Sequence, residues 1–174
     1  MTVRIMTIGH STHPLEEFIH LLQAHGVDFL VDVRTIPRSR HNPQFNSDTL
    51  PAALAAAGIG YLHMKGLGGL RHPAARSPNT AWRTPGFRGY ADYMLTKEFA
   101  AELERLVELS RSRLVAIMCA EAVPWRCHRS LIADALTVKG VAVEHILSPK
   151  RRDPHTLTSF AQVEEGRLTY PGEA

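Results

Sequence analysis

Cysteine is scarce in this chain of 174 residues, which holds only Cys119 and Cys127. Two thiols make no disulfide framework, so the fold has to rest on an apolar core, and a reducing cytoplasm is the expected home. No apolar run approaches the roughly 18 residues of a membrane-crossing helix. The start Met1-Thr2-Val3-Arg4-Ile5 has no secretory pattern, and no internal repeat or low-complexity tract stands out. Several familiar catalytic signatures are missing too. Gly66-Leu67-Gly68-Gly69 lacks the Gly-Lys-Ser/Thr ending of a phosphate loop and the context of a dinucleotide fingerprint. The 10 histidines include no pair four residues apart on a helix. Thiol phosphatases and rhodaneses need an arginine six positions after the cysteine, and here Trp125 and Ala133 stand at those places. Cys119-Ala120-Glu121 with Pro124 and Cys127 looks superficially like a zinc deaminase, but the two halves are too close and a third thiolate is missing.

What is present is an ordinary globular composition, 44% apolar and 21% charged, long enough for a single core. The net charge of +3 leans weakly towards anionic partners.

Taken in order, Ile5–Ile8 reads as a strand that stops at Gly9-His10-Ser11-Thr12, and Leu15, Phe18, Ile19, Leu21 and Leu22 form one face of a helix ending at Gly26. Val27–Arg34 is a second strand, which completes a βαβ unit and brings His10 and Arg34 to the same sheet edge. Thr35–Asn46, with Pro37, Pro43, Arg38, Arg40 and His41, is an irregular basic loop. An alanine-rich helix over Leu50–Ala57, a strand over Ile59–His63 and a Gly- and Pro-rich loop over Lys65–Gly86 follow. Phe87–Leu95 and Glu98–Leu109 read as helices, Leu114–Met118 as a buried strand, Ser130–Lys139 as a helix and Val141–Leu147 as a fifth strand. Phe160–Tyr170 forms a hairpin about Glu165-Gly166.

The expected fold is a single α/β domain over 1–174, with a core at about 3–147 and a C-terminal extension at 148–174. Its open, mostly parallel sheet has about five strands and helices on both faces, in Rossmann-like layering. Ligands of such sheets bind beyond the carboxyl ends of the strands. That places His10, Ser11, Arg34, His63, Lys65, Cys119 and Glu121 at one edge.

The segment Met118–Arg129 is where the chemistry concentrates. Cys127 lies near a helix N-terminus and is flanked by Arg126, His128 and Arg129, a setting that lowers a thiol pKa. It reads either as a nucleophile or as a small buried residue that docks the helix. Cys119 follows an apolar strand and reads first as structural. Glu121 is a general base or the partner of an arginine, and Arg34 grips an anion or pairs with a carboxylate such as Glu121. A metal held by Cys119, Cys127 and one of His10, His63 or His128 is geometrically conceivable. Tyr90 and Tyr93 are packing or rim residues.

Five segments together resemble a known family. They are Thr7-Ile8-Gly9-His10-Ser11; Val31-Asp32-Val33-Arg34 with Pro37 and Ser39; Tyr61-Leu62-His63 with Leu67-Gly68-Gly69; Gly89-Tyr90-Ala91-Asp92-Tyr93-Met94; and Met118-Cys119-Ala120-Glu121 with Cys127-His128-Arg129. The chain is similar, over about residues 5–147, to the domain-of-unknown-function family DUF488. The resemblance implies a compact α/β domain and names no activity, and it gathers the motifs at the strand ends into one shared site.

The function expected is that of a cytoplasmic enzyme binding an anionic small molecule, phosphorylated or nucleotide-like. Cys127 is its nucleophile or redox thiol, His10 or His128 moves protons, and Glu121 acts as base or orients a partner. Arg34 and Arg129 hold the anion, with Ser11, His63, Lys65 and Gly68 around it. One alternative is a nucleic-acid-binding module using Arg34, Arg38, Arg40, Arg71, Arg76, Arg83 and Arg88. The other is the cysteine–histidine metal site. Cofactor and oligomeric state are left open.

Overall fold

The computed structural model describes residues Val3–Gly172. The apolar runs become five parallel strands, β1 (Arg4–Gly9), β2 (Phe29–Asp32), β3 (Gly60–His63), β4 (Val115–Cys119) and β5 (Ala142–Ser148), and an antiparallel edge strand β6 (Arg151–Pro154). The helices are α1 (Leu15–Ala24), α2 (Leu50–Ala56), α3 (Pro85–Tyr93), α4 (Lys97–Ser110) and α5 (Arg129–Val138). Strands lie in the order β3-β2-β4-β1-β5-β6. The expected α/β open sheet is the fold, with one more strand than the five anticipated. No helix among the described residues is long and apolar enough to cross a membrane.

Strand residues alternate between two cores because side chains alternate across a pleated sheet. Met6, Ile8, Leu30, Ala116 and Met118 pack against Phe18, Leu21, Leu22, Leu50 and Leu54 of α1 and α2. Ile5, Val31, Val115, Ile117 and Val143 pack against Phe99, Leu103, Leu106, Leu131 and Ile132 of α4 and α5. Burying each such large side chain stabilises the fold by about 1.5–3 kcal/mol. Right-handed crossovers explain the division: α1 and α2 carry the chain one way across the sheet, and α3 to α5 carry it back. Where β1 and β4 lie side by side, their outgoing chains part to opposite faces. A crevice opens at that point.

Helix ends follow local chemistry. Thr96 caps α4 by accepting from the Phe99 N–H at 3.2 Å, and Gly140, at φ 86, ends α5 in the left-handed region. The long loop between β3 and α3 is tied down. Asp92 accepts hydrogen bonds from the Ala74 N–H, the Ser77 hydroxyl and the Asn79 amide at 2.7, 2.6 and 2.7 Å.

The chain beyond residue 147 does more than trail from the core. It adds β6 to the sheet and then the hairpin β7 (Gln162–Glu164) and β8 (Arg167–Thr169), and it inserts Leu168 and Tyr170 into the core on the α5 side. A buried polar network draws this segment in. The Asp134 carboxylate of α5 accepts from His155 Nε2–H (2.7 Å), the Thr158 N–H (3.1 Å) and hydroxyl (2.6 Å), and the Tyr170 hydroxyl (2.7 Å). With its Nε2–H so engaged, His155 accepts at Nδ1 from His145 Nε2–H at 2.8 Å, and His145 Nδ1 accepts from the Thr7 hydroxyl. Burial, then repulsion by His155 whenever it is protonated and by Arg129, push His145 down to about 4, so it stays neutral.

Candidate functional site

The crevice holds a cavity of about 740 Å³. One wall comes from the turn after β1 (His10, Ser11), another from the loop after β2 (Arg34 to Asn42), a third from Gly69 and Leu70, and a fourth from the β4–α5 connection (Cys119 to His128). The β1 and β4 ends are stitched together: the His10 and Ser11 N–H groups donate to the Cys119 and Ala120 carbonyls, each at 2.9 Å. Ser11 has φ 46, a left-handed conformation uncommon for a serine.

Gly9 makes this closure possible. A Cβ on Gly9 would lie 1.6 Å from the Glu121 carbonyl oxygen, a backbone atom that cannot swing aside. Gly9→Ala is therefore expected to destabilise the protein by at least about 1–3 kcal/mol and to displace the 119–127 connection. A fall in the urea midpoint together with altered thiol reactivity is the readout, and an unchanged midpoint would show that the loop relaxes freely.

Arg34 is held by Asp32 and not by Glu121. Its Nε–H and Nη2–H donate to the two carboxylate oxygens at 2.9 and 2.7 Å, and Nη2 also donates to the Phe45 carbonyl at 2.6 Å. Asp32 is fully buried and accepts as well from the Tyr61 hydroxyl at 2.6 Å. This leaves Nη1 for the cavity side, where it donates to His10 Nε2 at 3.4 Å. His10 can accept there because its Nδ1–H donates to the Ser11 carbonyl at 2.8 Å. Burial first, and then the Arg34 charge, lower the pKa of His10 and keep it neutral, and its ring stacks on Phe45 at 4.4 Å.

The two cysteines are neighbours, both buried and both free. Their surroundings push the two thiols in opposite directions, Cys119 down and Cys127 up. Burial opposes ionisation of Cys119, but the hydrogen bond from the Cys127 thiol, the Arg129 charge and a backbone hydrogen bond at Glu121 outweigh it and lower its pKa. Cys127 is pushed the other way, first by donating to Cys119 and then by burial. Two thiols in contact share one negative charge, and when protonated Cys119 donates its S–H to the Glu121 carbonyl at 3.7 Å. Next to Cys127, His128 donates Nε2–H to the Val33 carbonyl at 2.8 Å, which leaves Nδ1 facing the Cys127 sulfur at 3.4 Å. Burial lowers the pKa of His128, so Nδ1 is a proton acceptor.

Arg129, the first residue of α5, is 1% exposed and points inward. Its Nη2 donates to the Ala122 carbonyl at 3.0 Å, while Nε and Nη1 meet no protein acceptor among the described residues. Among those residues it pairs with no carboxylate, and its charge acts on both cysteines.

The family profile described as Domain of unknown function DUF488 matches residues 14–136, more than half of the chain, and spans three of the four cavity walls. The chain belongs to the DUF488 family. No curated protein and no solved structure matches it.

In this DUF488 fold the other sequence-derived residues fall less centrally. Glu121 lines the cavity but is exposed to solvent and pairs with no arginine among the described residues. His63, at the end of β3, donates to the Arg34 carbonyl at 2.6 Å behind the wall. Lys65 is exposed on a short 3-10 turn and does not line the cavity, and Gly68 is buried against Thr35, with Gly69 lining the cavity in its place. His10 and His63 are thus engaged away from the thiols, and among the described residues no group of three His, Cys, Asp or Glu side chains is arranged to hold a metal ion. Tyr90 is buried on the cavity wall, with its hydroxyl donating to the Leu67 carbonyl at 2.8 Å. Sequence reasoning missed Asp32 as the holder of Arg34. The signal available was an acidic residue two positions before an arginine at a strand end.

Proposed function

We propose that this DUF488 protein is an enzyme that binds an anionic substrate in the crevice and acts on it by nucleophilic thiol catalysis, with Cys119 as the attacking thiolate. The observation that carries this reading is Arg129, a buried cation without a carboxylate partner, beside a thiol pair that lines the cavity. A buried charge is costly unless compensated, and the Cys119 thiolate is the compensation. The sulfur would form a bond to the electrophilic atom of the substrate. The leaving group would depart with the electron pair of its broken bond and take the proton of Cys127. Water would then release the bound group, giving its hydroxyl to that group and its proton back to Cys127, with His128 Nδ1 beside Cys127 to accept the proton in between. A reducing cytoplasm suits a site that needs both thiols free.

Alkylation tests this before any substrate is known. With iodoacetamide across a pH series, Cys119 is expected to react first, with a midpoint below the ordinary thiol value of about 8.5. Arg129→Gln should raise that midpoint and Arg129→Lys should largely restore it. Preferential labelling of Cys127, or a Cys119 midpoint at or above the ordinary value, would overturn the assignment.

One observation favours a non-catalytic nucleic-acid reading: exposed Arg38, Arg40, Arg76 and Arg83 pair with no carboxylate among the described residues. Arg34, Arg71 and Arg88 are already committed, to Asp32, to the Tyr93 ring and to the Trp82 carbonyl. Steep loss of RNA or DNA affinity with salt, together with ordinary cysteine reactivity, would favour that reading.

A further inference from the structure

The mouth of the cavity is unusual for its exposed apolar side chains. Ile36 is 62% exposed, Leu70 is 76% exposed and Trp125 is 69% exposed. Ile36 and Leu70 line the cavity, and Trp125 sits on the 3-10 turn Pro124–Arg126 directly before the lining residue Arg126. Scattered single apolar residues on a surface need no explanation, but two at one opening, with an exposed indole next in the chain to a lining residue, do. The large indole is held in water on the same connection that carries both thiols, where it packs nothing that the fold requires. Three arginines line the same cavity; Arg34 is held by Asp32, and among the described residues Arg38 and Arg126 pair with no carboxylate. Elsewhere on the surface Arg4, Arg105, Arg111, Arg113 and Arg151 each have an acidic partner. Among the described residues Arg40, Arg76 and Arg83 also lack a carboxylate partner but do not line the cavity, so Arg38 and Arg126 are the unpaired guanidinium groups at the opening.

A ligand matching this mouth needs a flat, weakly polar face for the indole and the two aliphatic side chains, and an anionic group for the two guanidinium groups. It also needs donors along an edge for the exposed Glu121 carboxylate. An aliphatic acid supplies the charge without the flat face or the edge donors, and inorganic phosphate supplies the charge alone. We propose that the cavity takes a nucleotide unit, with the base gripped by Trp125, Leu70 and Ile36 and the phosphate held by Arg38 and Arg126. Every base has a π face, so stacking on an exposed tryptophan tolerates different bases, and a guanidinium binds phosphate in a fork. The cavity volume of about 740 Å³ is ample for one such unit. This rests on the reading of the crevice as the substrate site and names the substrate class for it. The same chemistry is offered by a free nucleotide and by an unpaired nucleotide in a single strand.

The chain has two tryptophans, so Trp82→Phe leaves Trp125 as the sole indole reporter, and calorimetry on the unaltered protein gives a second measurement. Four probes are titrated at low salt: adenosine monophosphate, adenosine, ribose 5-phosphate and a short single-stranded oligoadenylate. Adenosine monophosphate is expected to quench Trp125 and to bind at least about tenfold more tightly than adenosine or ribose 5-phosphate. Trp125→Ala should weaken the nucleotide about tenfold and leave ribose 5-phosphate unchanged, whereas Arg126→Gln should weaken both phosphates and leave adenosine unchanged. Tighter binding of the oligonucleotide with a steep salt slope identifies a strand as the source. Tighter binding of the mononucleotide with a shallow slope identifies a free nucleotide. Absence of binding by all four probes, equal binding of ribose 5-phosphate and the nucleotide, or indifference to Trp125→Ala would overturn the proposal. Alkylation of Cys119 in the same samples separates the two claims. Low-pH reactivity without nucleotide binding removes the nucleotide alone, and nucleotide binding with ordinary thiol reactivity removes the thiol mechanism alone.

Discussion

Asp134→Ala is expected to be among the most damaging single substitutions in the protein, costing about 3–5 kcal/mol. The carboxylate is fully buried and accepts from His155, from the Thr158 backbone and hydroxyl, and from Tyr170. Removing it strands four donors in the interior, and each buried unsatisfied donor costs about 1–3 kcal/mol before relaxation. The damage should be directional. His155, Thr158 and Tyr170 all belong to the segment after β5, so limited proteolysis should cut first between residues 155 and 172 while the sheet stays protected. Uniform cleavage across the chain, or a loss below about 1 kcal/mol, would show that the network is not what holds this segment.

The same network makes a pH prediction. His145 is neutral when buried and titrates near 4, against an ordinary value of 6.5. A histidine depressed in this way stabilises the fold fully above the unfolded pKa, and that contribution is lost as pH falls from about 6.5 through about 4. The loss is on the order of 3 kcal/mol across the window. His10 and His128 are lowered as well and add slope of the same sign, so the comparison needed is with a His145→Gln variant. Its stability should vary less between pH 6.5 and 4 than that of the unaltered protein. Identical slopes would remove His145 from the account.

Asp32→Ala should match Asp134→Ala in cost, about 3–5 kcal/mol, because it leaves a buried guanidinium without its bidentate partner and the Tyr61 hydroxyl without its acceptor. Here the site is damaged along with the fold. Arg34 fixes the Phe45 carbonyl and reaches His10, and His10 stacks on Phe45, so one carboxylate orders the β1 turn and the β2 loop together. Asp32→Asn preserves the shape and one acceptor oxygen and should lose less. Thermal unfolding of the two variants, read with the rate of Cys119 alkylation, separates the structural cost from the effect on the site. Equal stability of Asp32→Ala and the unaltered protein would mean that water replaces the pair.

Much of the fold could be read in the residues. The five parallel strands, the five helices and the hairpin at Glu165-Gly166 fall within a few residues of the expected spans, because periodicity and turn chemistry are local properties. The same reading brought His10, Ser11, Arg34, Cys119 and Glu121 to one edge, and all five line the cavity, whereas His63 and Lys65, expected at that edge too, do not. β6 was not visible, because Arg151-Arg152-Asp153-Pro154 is polar and forms a strand only by pairing with β5 at the sheet edge. The Thr7–His145–His155–Asp134 chain was not visible either, since each member is a lone polar residue until the fold brings positions 7 and 145 into contact.

By itself the sequence determined the element types, the direction in which their chains leave the sheet and the edge at which chemistry gathers, since these follow from alternation, capping and right-handed crossover. Tertiary structure alone decided which groups carry charge there. The opposite shifts of the two thiols, the capture of Arg34 by Asp32 and the unpaired burial of Arg129 all depend on desolvation and on neighbours across the sheet. Local spacing places a side chain at a strand end. The free energy of its proton depends on what surrounds it in space, and only the folded chain sets that.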